Sequence, residues 1–564
     1  MKILFVIFLS FLVYLNTLKN DFVWDDTSII VNNKWIRTPS NFFKFFILKE
    51  TISEDTRTKP YIYRPLVTFS YSLDYSVWRL SSFGYHLSNI IFHTVTVIFL
   101  YILTDLILNN KKISLFSSVI FAVHPVHTEA VSWIKGRADI LACMFCMLSF
   151  IFYILYFIRN ERFIYYFLSL LFFIFGLFSK ESAVALVGII IAYDIIFKKK
   201  FLFKSYILFI IVLFLYIILR KSVLGSNLPY RWWAGSQYYT FLTAMKVLVE
   251  YFRLLVFPIN LCADYVVEIS FNVFDLKVIF SILFLIFLIT ISFISIKRFS
   301  IFSFCIFFIL ISLLPVANII FPIEVLLAER FLYMPSVGMC LFFGWLVYRI
   351  LTRNKTLGYI VFVLIVLPYS ILTCNRNKDW KDEFNLWSKT AKQFPDNFRA
   401  HNNLGMEYEK SGNLEKALYH YKIASNLTPN LSWLHNDKNQ TYARVYNNIG
   451  NVYFKQKNFN TAIEYYKKAI DLDPLYSSPY FNLGLLYRNK GLLDLAIYYY
   501  KKAIELNPYV ADYYNNLGVV YALKDDFKEA IIQYEKAVEL SSDEDFKKQV
   551  LKNIEIAKNF LRRK

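Results

Sequence analysis

Cysteine is scarce and poorly placed for cross-linking. Only six occur in 564 residues; Cys143, Cys146, Cys305 and Cys340 fall inside apolar runs, and Cys262 and Cys374 lie near segment ends. They are expected to form neither a disulfide framework nor a redox pair. Acidic residues are also in short supply, with 42 Asp and Glu against 62 Lys and Arg and a formal charge of +20. The excess cations sit in short clusters between hydrophobic runs, where they set membrane orientation, so nucleic acid is not an expected partner. No small-residue cleavage site follows the apolar run after Lys2, so residues 1–18 are expected to remain as a first membrane helix. An HExxH zinc motif is missing too. His124, His127 and Glu129 have a different spacing, and Pro125 interrupts the helix that would put both imidazoles on one face.

What the chain does have is apolar surface: 57% of residues are hydrophobic and 19% aromatic, more than one soluble core needs. Runs long enough to cross a bilayer recur as far as residue 373. Five basic clusters, at 109–112, 159–162, 198–204, 297–298 and 349–355, belong on the cytoplasmic side. Placing all five there predicts about eleven spans, at 1–18, 86–108, 113–123, 138–158, 163–178, 183–197, 205–219, 277–296, 299–320, 331–348 and 357–373. The stretch 239–257 carries Lys246, Glu250 and Arg253 and ends at Pro258. Charges on a lone spanning helix are costly, so it reads as an interfacial amphipathic helix in an external loop, 225–275.

After residue 374 the chain turns polar and repeats itself. Gly450, Gly484 and Gly518 are evenly spaced, and Pro474 and Pro508, the alanines 462, 496 and 530, and the alanines 469, 503 and 537 keep the same step. That step, about 34 residues, is the tetratricopeptide (TPR) period. An earlier copy carries Gly405, Ala417, Ala424 and Pro429, displaced by an insertion at 432–442, and 382–394 reads as a leading half-repeat. The expected fold class is therefore all-α: a polytopic transmembrane bundle over 1–374, then an extracytoplasmic TPR α-solenoid over 375–564 with repeats near 398–431, 443–476, 477–510 and 511–544. Asn403, Asn448, Asn482 and Asn516 each stand two positions before a repeat glycine. Their amides could bind the backbone of an extended peptide or bridge neighbouring repeats.

In the membrane half, polar residues gather in the loops expected outside. Adjacent Asp25 and Asp26, in the stretch from Asn20 to Asp26 after the first span, form the centre of this group, because ionised residues beside hydrocarbon point to function. Their loop goes on to Arg57, Lys59, Tyr63 and Arg64. Elsewhere the same face collects His86, His124, His127, Glu129, Lys135, Arg137, Asp139, Lys180, Glu181, Asp264, Glu329 and Arg330. Carboxylates and cations at a membrane surface suit a substrate with a lipid tail and a phosphate head: cations bind the phosphate, and a carboxylate takes a proton from the attacking hydroxyl. Lys180 with Glu181, or Glu329 with Arg330, could alternatively neutralise each other. The Asp25–Asp26 pair could hold a divalent cation, the one cofactor considered, but neighbours in an extended chain point to opposite sides, so one of the two is expected to face the reacting centre.

Several stretches together, Phe22 to Asp26, Tyr63 to Leu66, His86 to Asn89, His124 to Ala130 with Gly136 to Asp139, Ser179 to Glu181 and Glu329 to Ser336, resemble the transmembrane and TPR repeat-containing O-mannosyltransferase family over nearly the whole chain. That family is similar to GT-C-type glycosyltransferases. The resemblance implies a polyprenyl-phosphate-linked sugar as donor, with mannose as the family's sugar, and a polypeptide hydroxyl as acceptor, held by the repeats. It puts the catalytic base at Asp25 or Asp26, donor-phosphate contacts among Arg64, Lys180 and Arg330, and site-shaping roles on His124, His127, Glu129, Arg137, Asp139, Glu181 and Glu329. The short repeat array implies a prokaryotic or divergent relative, in the bacterial cytoplasmic membrane or the endoplasmic reticulum membrane, with site and repeats on the extracytoplasmic or lumenal side of the lipid bilayer. The readings weighed against this are a non-catalytic membrane scaffold and a transferase acting on lipid or polysaccharide.

Overall fold

The computed structural model describes residues 2–48, 62–198, 202–225, 232–428, 438–541 and 543–563. Arg57, Lys59, Pro429 and most of the 432–442 insertion lie outside them. Throughout the described residues, the regular elements are helices. The chain divides into two compact units, the first taking in Met1–Pro395 and the second opening at Asp396.

Among the described residues, seven helices of the first unit are long and apolar enough to cross a membrane: Lys2–Lys19, Ser82–Leu108, Ile134–Ile158, Phe203–Leu224, Leu276–Ser295, Pro335–Arg353 and Lys355–Trp380. Two shorter apolar helices, Phe163–Ser179 and Ser300–Val316, accompany them. The other two expected crossings take a different form. Lys111–Val123 has 13 residues, roughly 20 Å of helix against a hydrocarbon core of about 30 Å. The stretch after Ser179 is broken into a 3-10 turn Glu181–Val184, a helix Ala185–Tyr193 and a π turn Asp194–Lys198. Lys111–Val123 is instead a core element, buried from Phe116 to Val123. It lies so close to Pro335–Arg353 that a side chain at Gly344 would meet the backbone and hydroxyl of Ser117; only glycine permits that approach.

The charged stretch 239–257 is a 20-residue helix, Gln237–Val256, and is not among the seven. Its Arg253 pairs with Glu250 on the same helix, at 2.8 and 2.5 Å, and Lys246 donates to the Glu268 carbonyl at 3.1 Å. All six cysteines are free. Cys143 and Cys146 do have the C-x-x-C spacing of a redox pair, but both are buried within a membrane helix, where the exposure that redox chemistry needs is missing.

In the second unit, paired helices follow one another from Phe398–Lys410 to Phe527–Leu540, closed by Glu544–Arg563. The repeat glycines have a common cause. A Cβ on Gly405, Gly450, Gly484 or Gly518 would lie 2.6 to 2.8 Å from the ring of Tyr421, Tyr466, Tyr500 or Tyr534. Each tyrosine comes from the second helix of the same pair and is buried. The glycine leaves the ring its space, so the sequence period is also a period of helix-crossing distance. Helix Glu383–Gln393, expected as a half-repeat, falls within the first unit.

Candidate functional site

The first loop begins where the N-terminal helix ends. Asp25 and Asp26 are adjacent, yet they occupy opposite environments. Asp26 is completely buried; its Oδ2 accepts the Val23 amide at 3.2 Å and its Oδ1 the Lys135 amide at 3.0 Å. Burial pushes its pKa up to about 8, against the pull of those two amides. Asp25 keeps 36% of its side chain exposed and binds the Lys135 ammonium at 2.5 Å. With Asp26 turned to backbone amides and Asp25 turned to an ammonium, the pair does not present a divalent cation with converging oxygens. Among the described residues no group of three or more His, Cys, Asp or Glu could hold a metal ion.

The three expected phosphate-binding cations come from separate elements. Arg64 stands at the N-terminal cap of helix Pro65–Trp78 and grips Glu181 with two nitrogens, at 2.9 and 3.3 Å. Lys180 caps helix Phe163–Ser179 and binds Asp139 at 2.5 Å. Arg330, in the turn before Pro335–Arg353, bonds Glu129 through its guanidinium and also gives its own amide to that carboxylate, at 2.8 Å. The three share one electrostatic field. Asp139 acts on both Arg64 and Arg330, and each of these cations acts on Lys180. Burial draws the Lys180 ammonium down to about 8, although Asp139 resists the change. Burial alone would raise the Glu181 carboxyl, but Arg64, helped by Arg220 and Lys180, holds it below the usual carboxylate range. A small cleft of about 40 Å³ lies between Arg64 and Ile29 of the first loop, lined also by Thr68, Tyr71 and Lys135 among others.

Sequence neighbours therefore do not neutralise each other. Lys180 and Glu181 face different partners, and so do Glu329 and Arg330. Glu329 is buried and accepts from the Cys262 amide at 2.5 Å, from the Tyr265 hydroxyl at 2.9 Å and from Arg376 at 3.3 Å. Its burial raises the pKa to about 7 in spite of Arg376.

The remaining expected residues support the site rather than line it. Arg137 is wholly buried; it pairs with Asp74 at 2.6 Å and bonds Asn89 and the Tyr85 carbonyl. His127 meets the Ser336 hydroxyl at 2.7 Å, and His124 the Leu255 carbonyl at 3.0 Å. Burial pushes His124 down to about 4 and His127 well below its ordinary value, so both imidazoles are neutral.

A tryptophan stack had no place in the sequence reading. Trp24 lies parallel to Trp133 with centroids 4.9 Å apart, and Trp133 stacks on Trp380 at 5.6 Å. The Lys135 ammonium and the Arg330 guanidinium both lie 5.4 Å from the Trp133 ring, within cation–π range. One buried indole thus links the Asp25 loop to a phosphate-binding candidate. The four tryptophans, including Trp387, come from the beginning, the middle and the end of the first unit, and no local pattern could have joined them.

In the repeats, the amides of Asn448, Asn482 and Asn516 are engaged across helices, and that of Asn403 within its own helix. Asn482 donates to Asn447 and Asn451, both at 2.9 Å, and Asn448 to Asn402 at 3.3 Å. Asn516 accepts from Arg488 at 2.9 Å, and Asn403 accepts from Asn402 at 3.3 Å. Beside the ladder lies a cleft of about 270 Å³ lined by Glu409, Asn451, Phe454, Lys455, Tyr466, Asn482 and Leu485.

Known proteins match both halves. A family model for dolichyl-phosphate-mannose-protein mannosyltransferase matches residues 59–224, and tetratricopeptide models match 443–476 and 475–543. The protein O-mannosyl-transferase F38B6.6 of Caenorhabditis elegans is 30% identical over 446 residues, 76% of this chain and 63% of that one. The protein O-mannosyl-transferase TMTC3 of Homo sapiens is 27% identical over 480 residues, 77% of this chain and 52% of that one. The chain thus spans between about half and two thirds of the length of these relatives. Among solved structures, MamA is 28% identical over 28% of this chain and 85% of its own, with a TM-score of 0.24. Membrane helices, a mannosyltransferase-type segment and a tetratricopeptide array in one polypeptide make this chain a TPR-containing O-mannosyltransferase-like protein.

Proposed function

We propose that the protein is a membrane glycosyltransferase that moves a sugar, with mannose the first candidate, from a polyprenyl-phosphate donor to a hydroxyl of a polypeptide. The observation that carries this reading is the convergence of Arg64, Lys180 and Arg330 on one electrostatic field beside the half-exposed Asp25. Asp25 takes the proton from the acceptor hydroxyl, and the freed oxygen pair attacks the anomeric carbon. The bond from that carbon to the phosphate oxygen breaks, and its electrons leave with the polyprenyl phosphate, where the three cations stabilise the new charge. Lys135 pairs with the Asp25 carboxylate and fixes its direction until substrate arrives. Asp26 builds the loop and does not take the proton.

The repeats hold the acceptor. The cleft at Glu409, Lys455 and Asn482 combines an ion pair with amides, which suits the backbone of an extended peptide better than a bare sugar chain. This favours a protein acceptor over lipid or polysaccharide. The expected setting is the endoplasmic reticulum membrane, with site and repeats on its lumenal side. The names of the relatives support the chemistry.

The test is transfer in native membranes with a panel of polyprenyl-phosphate sugars and hydroxyl-bearing peptides. Turnover with at least one donor is expected. Silence with every donor would favour a scaffold that recruits partners through its repeats.

A further inference from the structure

The end of the last membrane helix and the residues after it run back along the end of the first helix and the first loop. Asn377 donates to the Val13 carbonyl and to the Asn16 side chain, both at 2.8 Å, and accepts from the Ser132 hydroxyl at 2.9 Å. Asn16 donates to the Cys374 carbonyl at 2.9 Å, Asn20 to the Asn377 carbonyl at 3.3 Å, and the Asp21 amide to the Lys381 carbonyl at 2.8 Å. The series ends at Glu383, the first residue of helix Glu383–Gln393. One of its carboxylate oxygens accepts the Trp24 amide at 2.6 Å and the other accepts the Trp387 indole N–H at 2.5 Å.

Trp24 is where this arrangement matters. Its φ is +56°, a left-handed conformation that is sterically costly for an L-residue with a bulky side chain and persists only when its surroundings enforce it. Three contacts do so: the stack on Trp133, the edge of Trp387 at 5.2 Å, and the charged acceptor that Glu383 gives to the Trp24 amide. Asp25 is the next residue, and the direction of its carboxylate follows from the turn at Trp24.

We infer that Glu383, with Asn377 behind it, is a positioning residue for the catalytic loop: the stretch between the bundle and the repeats belongs to the catalytic unit and holds Asp25 in line. The inference rests on the proposed role of Asp25. The same segment gives the compact first unit its extent to Pro395.

The experiment uses the full chain reconstituted in membranes. Glu383→Ala is expected to lower kcat about ten- to a hundredfold while the donor KM stays within about twofold, because the phosphate-binding cations are untouched. Glu383→Gln, which can still accept the Trp24 amide, should recover much of the rate. Near-UV circular dichroism of Glu383→Ala should lose indole signal from the loosened stack. In Trp24→Gly, where the left-handed turn is free of steric cost, adding Glu383→Ala should cost less than it does in the parent. A Glu383→Ala protein with parental kcat overturns the inference, as does a rate loss in Glu383→Gln as large as in the alanine variant, or a penalty unchanged by Trp24→Gly. Asp25→Asn is assayed in parallel. If it too retains the parental rate, the reading of Asp25 as base has failed; if it alone is inactive, only the positioning role has failed.

Discussion

The two units use charge in opposite ways. In the membrane unit, the ion pairs around the candidate site join residues far apart in sequence: Asp25 with Lys135, Arg64 with Glu181, Glu129 with Arg330. Most of these groups are buried or half-buried. In the repeat unit, typical pairs such as Lys410 with Glu407 or Lys547 with Glu544 sit one helical turn apart on exposed faces. A buried charge is expensive unless its partner is held in place, whereas an exposed pair gains little. Distant, buried pairing is therefore the mark of a site whose geometry the whole fold maintains, while local, exposed pairing mainly keeps a solenoid soluble.

The sharpest break of this contrast is Arg330→Ala. It strands Glu129, whose side chain is fully buried, and should cost about 3–5 kcal/mol, read by thermal or denaturant unfolding in detergent. Adding Glu129→Gln should restore part of that stability without restoring transfer, which separates folding from donor binding. Next in size is the charge on Lys180. Because burial brings it down to about 8, the ammonium proposed to bind phosphate is present below that pH and lost above it. Donor KM should therefore rise by up to about tenfold per pH unit above 8, and Lys180→Arg, which stays protonated, should flatten that limb. In the repeats, Gly450→Ala places a methyl 2.6 Å from the Tyr466 ring and should cost about 1–3 kcal/mol by overpacking. Asn482→Ala removes two bonds to the neighbouring helix and should cost about 1 kcal/mol; because Asn482 also lines the proposed acceptor cleft, affinity for acceptor peptide should fall as well, and an unchanged affinity would make the ladder purely structural. Lys410→Ala should leave the melting curve where it is.

These units also differ in how far they can be read without coordinates. Each repeat is a local object, so Gly450, Ala462 and Ala469 announce their helix pair within a single period. The buried partner, Tyr466, was legible in principle, since Tyr500 and Tyr534 keep the same step and Tyr421 holds the same place after Gly405. In the bundle, composition locates apolar runs but not their depth. Lys111–Val123 is largely apolar but too short to span, and it reads correctly only once Gly344 and Ser117 are seen in contact. The candidate site was legible as a set of residue types at loop positions, Asp25, Arg64, Lys180 and Arg330. Their pairing was not, because each partner comes from a different element of the fold and nothing local ties Lys180 to Asp139 instead of Glu181. The same holds for Glu383, whose only trace in the sequence is an acidic residue between two tryptophans just after the last apolar run.

The most direct test of the account compares Asp25→Asn with Asp26→Asn, in full-length protein in membranes, for single-turnover transfer from a polyprenyl-phosphate sugar and for donor affinity. Asparagine keeps the size of aspartate but cannot take the proton. The account predicts a rate loss of about a hundred- to ten-thousandfold for Asp25→Asn with donor affinity preserved, and a smaller loss for Asp26→Asn, which acts only through the loop. Near-normal transfer by Asp25→Asn would contradict it.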